Sequence, residues 1–207
     1  HPMTAPDNSS KIILDLCGGS GSWSRPYKQA GYDVRLITLP NNDVRTYEPP
    51  ENVYGILAAP PCTEFSLAKN GSPTPRNLES GLEIVRACLK IIWGCQLQQK
   101  LKFWAMENPV GLLRQFIGRP KFTFRQWEFG DMAVKPTDIW GYFNEPRKSV
   151  HEMPEGITKR YSSGKVNTFA WAAPKPPEWL NASNLTRADL RAITPPGFAK
   201  AFWRANK

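Results

Sequence analysis

The sequence predicts an α/β fold, a mostly parallel sheet with helices on both faces. Three observations carry that expectation. Lys11 to Leu16 reads as a strand, Lys-Ile-Ile-Leu-Asp-Leu, which runs into a glycine-rich turn and then a helix. Ile56 to Ala59 is a short apolar run, the pattern of a strand covered on both faces, and it breaks off at Pro60-Pro61-Cys62. Phe103 to Met106 is a further short strand, ending in Glu107-Asn108-Pro109. Short apolar runs alternating with helical stretches are the signature of parallel strands joined by crossover helices.

Along the chain, the first strand leads into Cys17-Gly18-Gly19-Ser20-Gly21-Ser22-Trp23-Ser24 and a helical segment from about Arg25 to Ala30. Strand, glycine turn and helix form the first unit of a Rossmann-like nucleotide site, because glycines at 18, 19 and 21 let a cofactor approach the backbone. The spacing is not the full GxGxxG pattern. Asp15 at the strand end suits a cofactor with an amino or hydroxyl donor better than one with a pyrophosphate. Gly31 closes the helix, Tyr32 to Leu39 gives the second strand, and Asn41-Asn42-Asp43-Val44-Arg45 makes a turn. Thr38 and Leu39 stand where a ribose-binding acid is expected, so Asp43 is the next available carboxylate, facing either an adenine amino group or solvent.

Pro60 and Pro61 offer no N–H and fix φ, so the third strand must stop there and Cys62 projects from a stiff loop. The carboxyl ends of strands are where an open α/β sheet gathers ligands. Residues 67–75 are polar, with Gly71, Pro73 and Pro75, and read as a mobile cover over Cys62. From Leu78 to about Gln99, Leu82, Val85, Leu89 and Ile92 recur at helical spacing and predict one long amphipathic helix. The Phe103 strand then brings Glu107 to the same sheet edge as Cys62. Gly111 to Phe116 reads as a helical turn, Phe122 to Phe129 and Thr137 to Phe143 as strands, Leu185 to Leu190 as an N-capped turn, and Pro196 to Asn206 as a terminal helix. Residues 144–184 are proline-rich and aperiodic, with Arg147, Lys148, Lys159, Arg160 and Lys165, and are expected to form an irregular basic arm or hairpin. The α/β domain is then 4–143 and 185–207, with 144–184 as a short basic insertion.

The 207 residues fit one domain with a small appendage. No apolar run reaches a membrane span and no secretory signal is evident, so a cytoplasmic protein is expected. Cys17, Cys62, Cys88 and Cys95 show no CxxC pair or Cys/His cluster, which argues against zinc and against a disulfide framework; Cys88 and Cys95 read as core. The formal charge is +9: residues 1–101 carry 10 Lys/Arg against 9 Asp/Glu, and residues 102–207 carry 17 against 9. A one-sided positive field suits a phosphate backbone.

A thiolate adds well to an activated ring, and an acid beside it can hold the ring nitrogen that absorbs the electrons. With cytosine, Cys62 would add to C6 while Glu107 holds N3 and the exocyclic amine, leaving C5 able to attack an electrophilic methyl group.

These residues resemble the cytosine-C5 DNA methyltransferases, most closely the short phage-type members. Asp15 to Gly21 looks like the family's S-adenosylmethionine (SAM) turn, Ala59 to Ser66 its nucleophile motif, Glu107-Asn108-Pro109 its cytosine-binding motif, and Thr194 to Lys200 its last motif. The resemblance spans about residues 11–143 and 190–206. It implies a Rossmann-like SAM-dependent methyltransferase fold, catalysis by Cys62 and Glu107 on a base flipped from DNA, and SAM as cofactor. The implied cofactor contacts are Asp15, Cys17, Gly18, Gly19, Gly21, Ser22, Trp23, Thr38, Asp43, Val44 and Pro60. The implied substrate contacts are Pro61, Ser66, Asn108, Lys135 and Thr137, and no metal is implied. Cys17 stands where the family usually has a phenylalanine on adenine and Thr38 where it usually has a ribose-binding acid, so a modified donor such as carboxy-SAM is an alternative. A catalytically idle DNA-binding relative is another. The family's arginine-rich motif is not recognisable, and Lys135-Pro136-Thr137 occupies roughly its place. An arm of some 40 residues lacks room for a large target-recognition domain, so sequence specificity should be low, short or borrowed from a partner.

Overall fold

In a computed structural model of the chain, residues 1–98, 101–157, 159–160, 162–164, 166–167 and 176–207 are described. The architecture is α/β, with a six-stranded, mostly parallel mixed sheet. Strand β1 (Ile12–Leu16) is followed by α1 (Arg25–Gln29), β2 (Asp33–Ile37), β3 (Val53–Ala58), α2 (Leu78–Gln98) and β4 (Phe103–Pro109). Then come α3 (Arg114–Ile117), β5 (Phe122–Phe124) and β6 (Thr137–Tyr142). The sheet order is β2-β1-β3-β4-β6-β5; the first four strands are parallel, and β6 and β5 each pair antiparallel.

Alternation along the strands explains the two covered faces. In β1 and β3, Leu14 and Ile56 point into one apolar cluster with Val85, Cys88 and Ile92 of α2, while Ile13 and Leu57 point into another with Trp23, Tyr27, Phe198 and Phe202. Helix α2 places a buried residue at nearly every turn, Val85, Cys88, Ile92 and Cys95, as its periodicity predicts. The second cluster is closed by the chain's end. Helix α5 (Pro196–Ala205) begins with proline at its first turn and packs against α1, with Trp23 in edge contact with Phe202 and Phe124 stacked on Phe198 at 4.1 Å.

Several expected boundaries move. β4 does not stop at Met106: β6 pairs with it through Glu107↔Ile139, Asn108↔Asp138 and Pro109↔Thr137. The partner strand keeps those residues extended, so Glu107 and Asn108 alternate across a strand rather than sitting in a loop. The stretch Phe122 to Phe129 is not one strand. It breaks after Phe124 into a 3-10 turn, Gln126–Phe129, because the Glu128 carboxylate turns back to accept the Arg125 N–H at 2.8 Å. Residues 67–75 are anchored at both ends. Arg76 donates to the carbonyls of Glu64 and Ser66 and to Asn70, and the Glu64 carboxylate accepts from Lys69 and from the Asn77 N–H.

Within 144–184 the described part includes an antiparallel hairpin of β7 (Lys159–Arg160) and β8 (Val166–Asn167). The remainder of the predicted arm at 158, 161, 165 and 168–175, Lys165 included, lies outside the described residues. Helix α4 (Arg187–Ala192) starts at a reciprocal cap between Thr186 and Asp189. Among the described residues no helix is long and apolar enough to cross a membrane.

Candidate active site

β3 and β4 are adjacent and in register up to Ala58↔Met106, so the residues just beyond deliver Cys62 and Glu107 to one edge of the sheet. The loop that carries Cys62 is short and internally bonded. The Cys62 carbonyl accepts from the Phe65 and Ser66 N–H groups at 2.9 and 3.0 Å. From β4, the fully buried Asn108 donates its amide to the Pro60 carbonyl at 3.0 Å. The Glu-Asn pair thus has two tasks: Glu107 faces the pocket, and Asn108, on the opposite side of the strand, fixes the loop that holds the thiol. Asn108 was expected among the substrate contacts and is placed under the loop, where its Oδ1 is buried without a partner among the described residues. Ser66 caps the turn at Leu67–Lys69 by accepting from the Ala68 N–H. Pro60 is buried and Pro61 exposed.

The electrostatics link three groups. Burial pushes the Cys62 thiol up and Glu107 adds to that, while Lys135 pulls it down. Burial likewise raises the Glu107 carboxyl above the usual carboxylate range, against Lys135. Glu107 keeps part of its surface open, at the mouth of a narrow pocket it shares with Gln126, Lys135, Thr137 and Thr194-Pro195. Lys135 also donates to the Arg191 carbonyl in the last turn of α4, and the Thr137 hydroxyl donates to the Lys135 carbonyl at 2.9 Å. Lys135 therefore bridges the pocket to the segment leading into α5.

The glycine turn lies at the adjacent strand end. A Cβ on Gly18 would stand 2.4 Å from the Asp15 carboxyl and 2.6 Å from Leu36, so only glycine lets the turn settle there. Gly19 and Gly21 have φ of 55° and 77°, the left-handed region glycine favours. Asp15 is fully buried beneath the turn; Ser24 donates to its Oδ2 at 2.5 Å, and its Oδ1 has no partner among the described residues. Burial raises the Asp15 carboxyl to about 6, with the Ser24 hydrogen bond opposing.

Four expected cofactor contacts have other engagements. Trp23 is 1% exposed and packs on Phe198 and Phe202 in the α1–α5 core. Ser22 is buried and donates to the Thr194 carbonyl at 2.6 Å, tying the glycine turn to the start of α5. Asp43 is held by Arg45 through both oxygens, which lowers its pKa, and it caps its own turn. Val44 is core. Thr38 is half-buried just past the end of β2. Cys17 stays beside the turn, its N–H donating to Ile37 and its sulfur 4.0 Å from that of Cys88. Ser24, Gln126 and Arg76 gave no signal in the sequence, since each acts through a partner that only folding supplies. The larger cleft, about 370 Å³ between α1 and α5 with Arg25, Trp179, Lys200 and Trp203, holds neither Cys62 nor Glu107.

Among the described residues no cluster of His, Cys, Asp and Glu could hold a metal ion. No known family model matches the chain, and no characterised protein matches it.

Proposed function

We propose that this chain is a Rossmann-like DNA cytosine-C5 methyltransferase acting through a covalent Cys62 adduct. The observation that carries the reading is the delivery of a thiol and a buried carboxyl with a raised pKa to one sheet edge, with Asn108 locking the two strand ends together. Cys62 adds to C6 of a flipped cytosine. Glu107, whose pKa burial raises, holds N3 and the exocyclic amine as negative charge builds on the ring. Once C5 carries the transferred methyl group, solvent water takes the C5 proton and the Cys62 thiolate leaves by elimination.

The turn fits SAM in two respects. A Cβ would meet nothing within 4 Å at Gly19 and only Leu36, at 3.8 Å, at Gly21, so the backbone there is open to close approach, and the orphaned Asp15 Oδ1 is an acceptor that a ligand's amino group would satisfy. Cys17, Gly18 and Gly19 would hold it, with Thr38 near the second strand end. Bound there, SAM supplies the electrophilic methyl group that C5 accepts. The basic second half of the chain suits the phosphate backbone of DNA.

A modified donor such as carboxy-SAM is favoured by one observation: Lys135 puts a cation beside Cys62 and Glu107. Incubation with DNA containing 5-fluorocytosine and SAM should trap a covalent complex that Cys62→Ala abolishes; no complex with either donor would leave a non-catalytic DNA-binding protein. Mass spectrometry of the product nucleosides with each donor decides between methyl and carboxymethyl transfer.

A further inference from the structure

Cys17 and Cys88 come from separate elements that meet in one apolar cluster. Cys17 follows β1 at the start of the glycine turn, and Cys88 sits mid-way along α2, yet their sulfurs are 4.0 Å apart. Their accessibility differs. Cys17 is half-buried, whereas Cys88 is 0% exposed, closed in by the apolar face of α2 against the sheet. A small oxidant can reach the first sulfur, and only the first can reach the second.

Either sulfur can donate in this contact; with Cys88 as the donor it pulls the Cys17 thiol below its ordinary range, against burial and the nearby Asp15 and Asp43 charges. The other cysteines shift the opposite way: burial raises Cys62 and Cys95, and the contact with Cys17 together with burial raises Cys88. Thiolate character and access therefore coincide at Cys17.

We propose that Cys17 and Cys88 form an oxidisable dithiol that closes to a reversible disulfide with hydroperoxide and thereby pulls the glycine turn out of its cofactor-binding shape. The Cys17 thiolate attacks the peroxide O–O bond, giving a sulfenic acid and releasing the alcohol, or water from hydrogen peroxide. The Cys88 sulfur then displaces the sulfenic oxygen, which leaves as water with the Cys88 proton. Two thiols have lost two hydrogens and the peroxide has gained two electrons.

The geometry decides which side moves. A disulfide bond of about 2.05 Å requires the sulfurs to close by roughly 2 Å. Helix α2 is 21 residues long and pinned by Val85, Ile91, Ile92 and Cys95. Cys17 has φ of 56° and is followed by glycines at 18, 19 and 21. The turn yields, and Gly18 leaves its seat against Asp15 and Leu36.

Only the cofactor half of this inference rests on the donor reading, and the experiment separates the two. The full chain is treated with hydrogen peroxide, then measured by intact mass and non-reduced peptide mapping. The expected result is a loss of about 2 Da, a Cys17–Cys88 linked peptide and full reversal by dithiothreitol. In Cys88→Ser or Cys88→Ala, dimedone should instead trap the sulfenic acid at Cys17. A wild-type protein that gains oxygen at Cys17 without cross-linking overturns the proposal. Calorimetric titration with SAM should show at least a tenfold loss of affinity on oxidation and recovery on reduction; a disulfide with unchanged affinity overturns the gating. A reduced protein that ignores SAM refutes the donor reading and leaves the dithiol standing.

Discussion

Replacing Asn108 tests the connection between the strand ends that carry Cys62 and Glu107. In Asn108→Ala the Pro60 carbonyl loses the donor 3.0 Å away and remains buried. An unsatisfied buried acceptor costs about 1–3 kcal/mol. Removing the unpartnered Oδ1 offsets part of that, which leaves a net loss of about 1–2 kcal/mol. At about 2–4 °C per kcal/mol for a chain of this size, the melting temperature should fall by roughly 2–8 °C. Iodoacetamide should also alkylate the Cys62 peptide faster, because the loop is released. Asn108→Asp supplies the sharper contrast. Its neutral carboxyl can still donate to Pro60, while its ionised form sets a charge against that carbonyl, so its folded pKa lies above the unfolded value of about 3.9. Stability should therefore be near wild type below pH of about 4 and decline as pH rises through the folded pKa. If Asn108→Ala melts within about 1 °C of wild type and Cys62 alkylates at an unchanged rate, the amide does not hold the loop.

Three further outcomes follow from the same geometry. Gly18→Ala forces a Cβ to 2.4 Å from the Asp15 carboxyl, and should cost about 1–3 kcal/mol in chemical denaturation and abolish SAM binding by calorimetry. The Asp15 carboxyl, raised to about 6 from 3.8, keeps its proton in the fold longer than in the unfolded chain. Wild-type stability should thus fall by about 3 kcal/mol between pH 4 and 6 from this group. Asp15→Asn should remove that part of the slope, leaving the parts from Asp131, also raised to about 6, and from Glu107, which burial raises too. Glu107 pushes the Cys62 thiol up and Lys135 pulls it down, so the pH midpoint for alkylation of the Cys62 peptide should shift down in Glu107→Gln and up in Lys135→Met.

Much of the architecture was legible because its causes are local. The Pro60-Pro61 pair ends a strand whatever surrounds it, and β3 stops at Ala58. The 3.6-residue recurrence of Leu78–Gln98 needs only the helix's own geometry, and that helix stands where the pattern set it. The misread elements are those shaped by a distant partner. β4 runs on to Pro109 only because β6, some thirty residues later, pairs with it.

The candidate site divides in the same way. The residue types and their order along the chain, Asp15 before the glycines, Cys62 after the prolines and Glu107 at the next strand end, follow from the sequence alone, since a strand end is a local event. The tertiary structure decided which partners those side chains meet: Ser24 beneath the turn for Asp15, Thr194 for Ser22, Pro60 for Asn108, Arg45 for Asp43, and Cys88 for Cys17. Most of these contacts join residues tens of positions apart, and hydrogen bonds and sulfur contacts reach only 3–4 Å. The pairing of β3 with β4 and the packing of α2 and α5 onto the two faces of the sheet bring such groups within range, and no periodicity in the chain records it.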